Sequence, residues 1–251
     1  MGVASLARQT VNRGLRPLGV QVVRGHSSAE GAKWFIAAKP TIAAARRSGL
    51  SVGEYVDRTF AEPGATAATI DAILEISGLS GPVERVCEIG PGTGRYVQAT
   101  VERLSPQEYE IYETAQDWLP YLRTLPRVVV RPCDGSSLSA TATGSVDLVQ
   151  AHKVFVYLEF WTVAAYLAEM ARVVRPGGVV AFDVITEACL QEDVVAKWRG
   201  EHSIFRPLPR QWVIDYMERR GPRFLDSRPV PLPFGQSQLL VFKAIASPGL
   251  N

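Results

Sequence analysis

Residues Val83–Tyr96 read VERVCEIGPGTGRY. An apolar run ends at Glu88, glycines follow at positions 90, 92 and 94, and a helical pattern opens near Arg95. Glycines at a strand-to-helix turn permit positive φ and let the backbone approach a ligand closely. Several nucleotide-binding folds use such a turn, and three details narrow the choice. The spacing is GxGxG, whereas a dinucleotide fingerprint wants Gly or Ala at the place of Arg95. No Gly-Lys-Ser/Thr follows, which excludes a phosphate-cradling loop. Glu88 stands two residues before the first glycine, where a carboxylate repels a diphosphate and suits a ligand carrying an ammonium group.

Outward from this turn, short apolar runs alternate with helical patterns. The runs are VERVCEIG, YEIYE, RVVVRPCD, SVDLVQAH, GGVVAFDVI, RFLDSRPV and QLLVFKAIA; the helices are RYVQATVERL, AQDWLPYLRTL, FWTVAAYLAEMARVV and PRQWVIDYMERR. Such alternation predicts an α/β fold with a doubly wound, mostly parallel seven-stranded sheet. PLPFGQS is too short to carry a crossover helix, so the last two strands should form an antiparallel C-terminal hairpin at one edge. Upstream, residues 33–80 read as helices, KPTIAAARRSGL, SVGEYVDRTF and ATAATIDAILEISGL. Ser51 with Glu54 forms a capping box, Ile70, Ile73, Leu74 and Ile76 crowd one side of the third helix, and Gly78 stops it. The chain therefore divides into a basic N-terminal arm (1–29), a helical N-terminal cap (30–80) and the sheet domain (81–251), with 187–235 expected to cover a second ligand.

Taken together, Val83–Ala246 resembles the class I S-adenosylmethionine-dependent methyltransferases, whose first motif reads acid-x-Gly-x-Gly-x-Gly. The resemblance implies that Glu88, Gly90, Pro91, Gly92 and Gly94 hold S-adenosylmethionine as the cofactor. It further implies that Glu113, at the end of YEIYE, binds both ribose hydroxyls and that the next residue, Thr114, touches the adenine. Asp134 and Gly135 of RPCDGSS take the roles of adenine ligands, and Gln150 and His152 lie where the fourth strand leaves the sheet beside the reactive methyl. RVVRPGG matches the family's turn before the fifth strand. Tyr55 is placed to reach the cofactor carboxylate from above, as N-terminal aromatic residues do in family members. Each acid also has a plainer reading as a cap at a strand-to-helix turn. Gly177 and Gly178 read as a structural turn, Cys87 and Cys133 as packed thiols, and Trp118 and Tyr121 as core.

The implied reaction is an in-line displacement with a neutral leaving group, in which positioning supplies much of the rate. A hydroxyl acceptor invites a general base. Of the three histidines, His152 lies at the carboxyl end of a strand, where ligands of open sheets bind, and is the candidate base; lining the pocket is its alternative role. His202 and Glu187 come next. The fourth strand ends in QAHK rather than the Asn/Asp-Pro-Pro-aromatic tetrapeptide of amino-methylating nucleic-acid enzymes. Asp183 has no neighbouring Asn, and no metal is expected.

Composition is that of an ordinary globular protein. The chain has 251 residues, 47% hydrophobic and 21% charged, and a net charge of +2, which carries no overall nucleic-acid footprint. The cysteines Cys87, Cys133 and Cys189 exclude a disulfide scaffold and suit a reduced compartment. Arg8, Arg13, Arg16 and Arg24 precede the first acid, Glu30. That start reads as a solvated arm, a mitochondrial presequence, or a short helix on a membrane surface with Val11, Leu15 and Leu18 on one face. The corresponding locations are cytoplasmic, the mitochondrial matrix, or membrane-associated. NRGLRPLGVQVVR resembles the basic start of bacterial methyltransferases encoded with surface-polysaccharide enzymes, which implies a small-molecule, sugar, glycan or glycolipid hydroxyl as acceptor. A presequence would favour a quinone or protein acceptor instead. A cofactor-binding scaffold without catalysis and a nicotinamide oxidoreductase are the rival readings.

Overall fold

The computed structural model describes residues 36–200 and 204–245. The arm, the first residues of the helical cap and His202 therefore lie outside the described residues. Three helices come first: α1 (Ala38–Arg47), α2 (Val52–Phe60) and α3 (Ala65–Ser77). Then follow β1 (Arg85–Ile89), α4 (Arg95–Leu104), β2 (Glu108–Tyr112), α5 (Leu119–Leu122), β3 (Val128–Val130), β4 (Val146–Ala151), α6 (Phe160–Val173) and β5 (Val174–Val184). A 3-10 turn (Glu187–Cys189), α7 (Glu192–Gly200), α8 (Arg210–Glu218), β6 (Pro222–Leu232) and β7 (Gly235–Ala244) complete the described chain.

The strands form one seven-stranded sheet in the order β3-β2-β1-β4-β5-β7-β6. β1 to β5 pair in parallel, and β7 runs antiparallel to both β5 and β6. This is the doubly wound sheet and edge hairpin that the alternation of runs predicts. Every residue of β4 is buried, as a strand covered on both faces requires. Val163, Leu167 and Met170 of α6 meet Val213 and Met217 of α8 in a core that also takes in Val149 and Phe182.

Local chemistry sets the helix ends. The Ser51 hydroxyl accepts from the Glu54 N–H at 3.2 Å, and the Glu54 carboxylate accepts from the Ser51 N–H at 2.9 Å. Gly78 closes α3 in the left-handed region at φ 67°. Asp57 of α2 joins three elements. Its carboxylate accepts from the Thr66 hydroxyl at 2.7 Å and from the Arg95 guanidinium at 2.8 Å, tying the N-termini of α3 and α4 together.

Two stretches differ from expectation. AQDWLPYLRTL is a succession of tight turns rather than a helix, with Tyr121 bonding back to Trp118, Thr124 to Tyr121 and Leu125 to Leu122; only α5 is helical. Those i→i−3 bonds draw Trp118 into the core, where it is 1% exposed. The RPGG turn lies within β5 rather than before it. Val146 pairs with Val174 and Leu148 with Val179, so residues 175–178 loop out of the ladder.

Candidate cofactor and acceptor site

The site forms where the strand order reverses, because β1 has β2 on one side and β4 on the other. Ile89 pairs with Ala151, so Gly90 and His152 leave the sheet side by side. All three glycines of the turn have positive φ (63°, 51° and 73°), yet they serve different ends. A Cβ on Gly90 would lie 2.6 Å from Val154 Cγ2, and one on Gly94 would lie 2.8 Å from Leu125 Cδ1. A Cβ on Gly92 would meet no protein atom within 4 Å. Gly90 and Gly94 are thus closed in by packing, whereas Gly92 presents bare backbone. Pro91 is buried, and its carbonyl accepts from the Gly94 N–H at 2.9 Å.

Sheet register assembles the first acid's surroundings. Glu88 pairs with Gln150, and Tyr109 pairs with Val86 two residues before Glu88, which places all three side chains on the face that α4 covers. Glu88 Oε2 accepts from the Tyr109 hydroxyl at 2.5 Å and from Gln150 Nε2 at 3.2 Å; Gln150 Nε2 also donates to the Thr100 hydroxyl at 3.1 Å. Glu88 Oε1 and Gln150 Oε1 are buried without a hydrogen-bond partner among the described residues. Burial pushes the Glu88 carboxyl up to about 7, against the opposing pull of hydrogen bonds from Tyr109 and Gln150. A cationic ligand favours the ionised form and must displace the proton below that pH. The dissociation constant for S-adenosylhomocysteine, which keeps the ammonium group, is therefore expected to rise about tenfold between pH 8 and pH 6. Titration calorimetry across that range checks it, and Glu88→Gln should flatten the profile.

The second acid is joined to the glycine turn. Glu113 is 6% exposed; one carboxylate oxygen accepts from the Gly92 N–H at 2.7 Å and the other from the Ala115 N–H at 2.7 Å. Each oxygen keeps a further lone pair for a ligand hydroxyl. A Cβ on Gly135 would stand 3.8 Å from Thr114 Cγ2, so Thr114 and Gly135 converge beside it. Asp134 is exposed and stands in a loop past the end of β3 rather than at a strand end. The Ser137 hydroxyl (2.6 Å) and the backbone N–H groups of Ser136 (2.8 Å) and Ser137 (2.7 Å) hold it ionised and bring its carboxyl down to about 2.

His152 is 4% exposed and stacks on Tyr96, with ring centroids 4.2 Å apart. Both ring nitrogens are buried without a hydrogen-bond partner among the described residues. Burial lowers its pKa to about 4, against the pull of Asp183. Asp183 is 1% exposed and accepts from the Lys153 N–H and the Ser237 hydroxyl, both at 2.6 Å. The sequence weighs Asp183 only as a metal ligand and does not place it beside His152. Its position at the end of β5, level with the end of β4, is the signal that would have found it.

Tyr55 is half-buried on α2 and meets Phe60 edge-on at 6.4 Å; α2 is bonded to the start of α4 through Asp57 and Arg95. Glu187 accepts from the Arg210 N–H at 3.0 Å and so caps α8, a structural employment. Cys87 is fully buried, as expected of a packed thiol, and Tyr121 is half-buried with its hydroxyl 3.3 Å from Gln98 Nε2. In 187–235, Val194, Trp198, Phe205 and Leu232 form a small core with Val156 and Ile185 beside the ends of β4 and β5.

The buried, unpartnered oxygens beneath the turn and the bare face at Gly92 fit a ligand that brings an ammonium group and hydroxyls. Strand order, terminal hairpin and glycine turn define the class I, Rossmann-like methyltransferase fold. Residues 87–182 match the methyltransferase domain family model. The chain is 33% identical over 133 residues to a malonyl-[acyl-carrier protein] O-methyltransferase of Methylococcus capsulatus, covering 50% of this chain and 46% of that protein. It is 28% identical over 168 residues to a biotin biosynthesis bifunctional protein of Bordetella avium, covering 66% of this chain and 34% of that protein. The matched stretch thus spans less than half the length of either relative. Among solved structures it is similar to a 1,6-didemethyltoxoflavin-N1-methyltransferase of Burkholderia thailandensis, with a TM-score of 0.56 and 16% identity over 84% of this chain and 92% of that one. It is also similar to a geranyl diphosphate C-methyltransferase of Streptomyces coelicolor, with a TM-score of 0.53 and 14% identity over 71% of this chain and 77% of that one. At those identities the likeness is one of fold.

Proposed function

We propose that this chain is an S-adenosylmethionine-dependent methyltransferase that methylates an oxygen of a small molecule. The observation that carries the reading is the Glu113–Gly92 hydrogen bond, which makes the second-strand acid and the bare glycine turn one continuous cradle. When bound, S-adenosylmethionine supplies an electrophilic methyl on a sulfonium with a neutral leaving group. Glu88 and Gln150 offer their unpaired oxygens toward the ammonium end. Glu113 takes the ribose hydroxyls, and Thr114, Asp134 and Gly135 border the adenine. A depressed pKa keeps His152 neutral at pH 7, so a ring nitrogen can accept the proton of an acceptor hydroxyl, and the Asp183 carboxylate favours the imidazolium as it forms. Sugar and glycolipid hydroxyls belong in the first acceptor panel on the strength of the arginine-bearing N-terminal sequence.

A carboxylate acceptor is the second reading. It carries no proton to remove, so a histidine whose pKa lies near 4 is no handicap, and one of the relatives is a malonyl-[acyl-carrier protein] O-methyltransferase. Incubating the chain with methyl-labelled cofactor and a panel of alcohols, sugars, glycolipids and carboxylic acids separates these. Label in an oxygen-linked methyl is expected. Cofactor binding with no transfer to any member would favour the scaffold without catalysis.

A further inference from the structure

We infer that the groove between α3 and the β6–β7 hairpin holds an apolar tail, an alkyl or acyl chain, of the methyl acceptor; the inference rests on the methyltransferase reading. The groove encloses about 460 Å³, within the range of small-ligand sites. Pro63, Ala68 and Ala72 line one wall, and Val230, Pro231 and Leu239 line the other. The short side chains on α3 keep the walls apart. Glu62 and Arg228 are the charged groups of the lining, and Arg228 is already paired with Asp226. A sugar in this groove would set its hydroxyls against alanine, proline, valine and leucine, losing water bonds without replacement. A hydrocarbon chain has no such cost.

Two connections join the groove to the residues around His152. The Lys153 ammonium donates to the carbonyl of Pro231. The Ser237 hydroxyl bridges the Val230 carbonyl at 3.4 Å and Asp183 at 2.6 Å. The wall formed by Val230 and Pro231 is thus tied to Lys153 and Asp183, the immediate neighbours of His152, and the reacting end of a chain held in the groove is directed toward them. None of the candidate cofactor ligands lines this groove, so tail and cofactor do not compete.

The test uses the full chain saturated with S-adenosylhomocysteine, with decan-1-ol and methyl β-glucoside as probes. Ala68 is exposed and Ala72 half-buried, so bulk can be added at both without opening the core. Decan-1-ol is expected to bind and methyl β-glucoside not to bind. Ala68→Trp and, separately, Ala72→Phe are each expected to weaken decan-1-ol at least tenfold while the affinity for S-adenosylhomocysteine stays within twofold. Decan-1-ol that fails to bind, or binds both variants as it binds the wild type, overturns the groove while leaving the methyltransferase reading intact. Failure of the unmodified chain to bind S-adenosylhomocysteine overturns both.

Discussion

His152→Ala is expected to lower kcat by about 10²–10⁴-fold, the range for a positioned general base, with the affinity for S-adenosylhomocysteine close to that of the wild type. The imidazole is buried against Tyr96, and among the described residues no group occupies either nitrogen. Nothing in the fold therefore requires a hydrogen bond from this side chain, which is an uncommon state for a buried polar group. Because its pKa is near 4, the ring is neutral throughout the physiological range and its lone pair stays available. Burial makes this imidazole a weak base even with the Asp183 carboxylate favouring the protonated form, so its contribution comes from its position beside the acceptor rather than from basicity. In the free enzyme His152 should thus set an acid limb near pH 4, well separated from the Glu88 limb near 7 that acts on cofactor affinity. Stopped-time methyl transfer and calorimetry on the same variant provide the readout. Equal losses in turnover and in cofactor affinity would make His152 a lining residue, and an unchanged kcat would favour a carboxylate acceptor.

Glu113→Ala is expected to weaken S-adenosylhomocysteine by about 1.5–3 kcal/mol, the range for hydrogen bonds to a charged group, or roughly 10- to 150-fold. Two effects contribute. The ribose hydroxyls lose a charged acceptor, and the N–H groups of Gly92 and Ala115 lose the carboxylate that fixes the turn. Glu113→Gln separates them, since its amide oxygen still accepts from one of the two N–H groups while the charge is gone. An intermediate loss is expected for Gln. Unchanged affinity in the alanine variant removes the ribose role altogether.

The sheet was legible in the sequence because each strand is a short apolar run bounded by turn residues, and a strand covered on both faces has no other way to be written. β4 is the clear case, with all its residues buried. The glycine turn was legible for the same kind of reason, since positive φ at three alternate positions leaves glycine little competition. What the sequence withheld were contacts between residues far apart in the chain. Asp183 reads as one more position in an apolar strand, and only the pairing of β4 with β5 brings it level with the residues after Ala151. Asp57 and Arg95 are 38 residues apart, and their ion pair requires the packing of α2 on α4. The single helical turn at Leu119–Leu122 was over-read as a longer helix because an apolar pattern does not distinguish α-helical from tighter turns.

The central claim is that the turn after β1 receives a ligand with an ammonium group and a ribose, not a pyrophosphate. Calorimetric titration of the wild-type chain with S-adenosylhomocysteine and, separately, with NAD tests it most directly. Saturable binding of S-adenosylhomocysteine at one site per chain, with no heat from NAD, is the predicted result. Binding of NAD in its place would contradict the account.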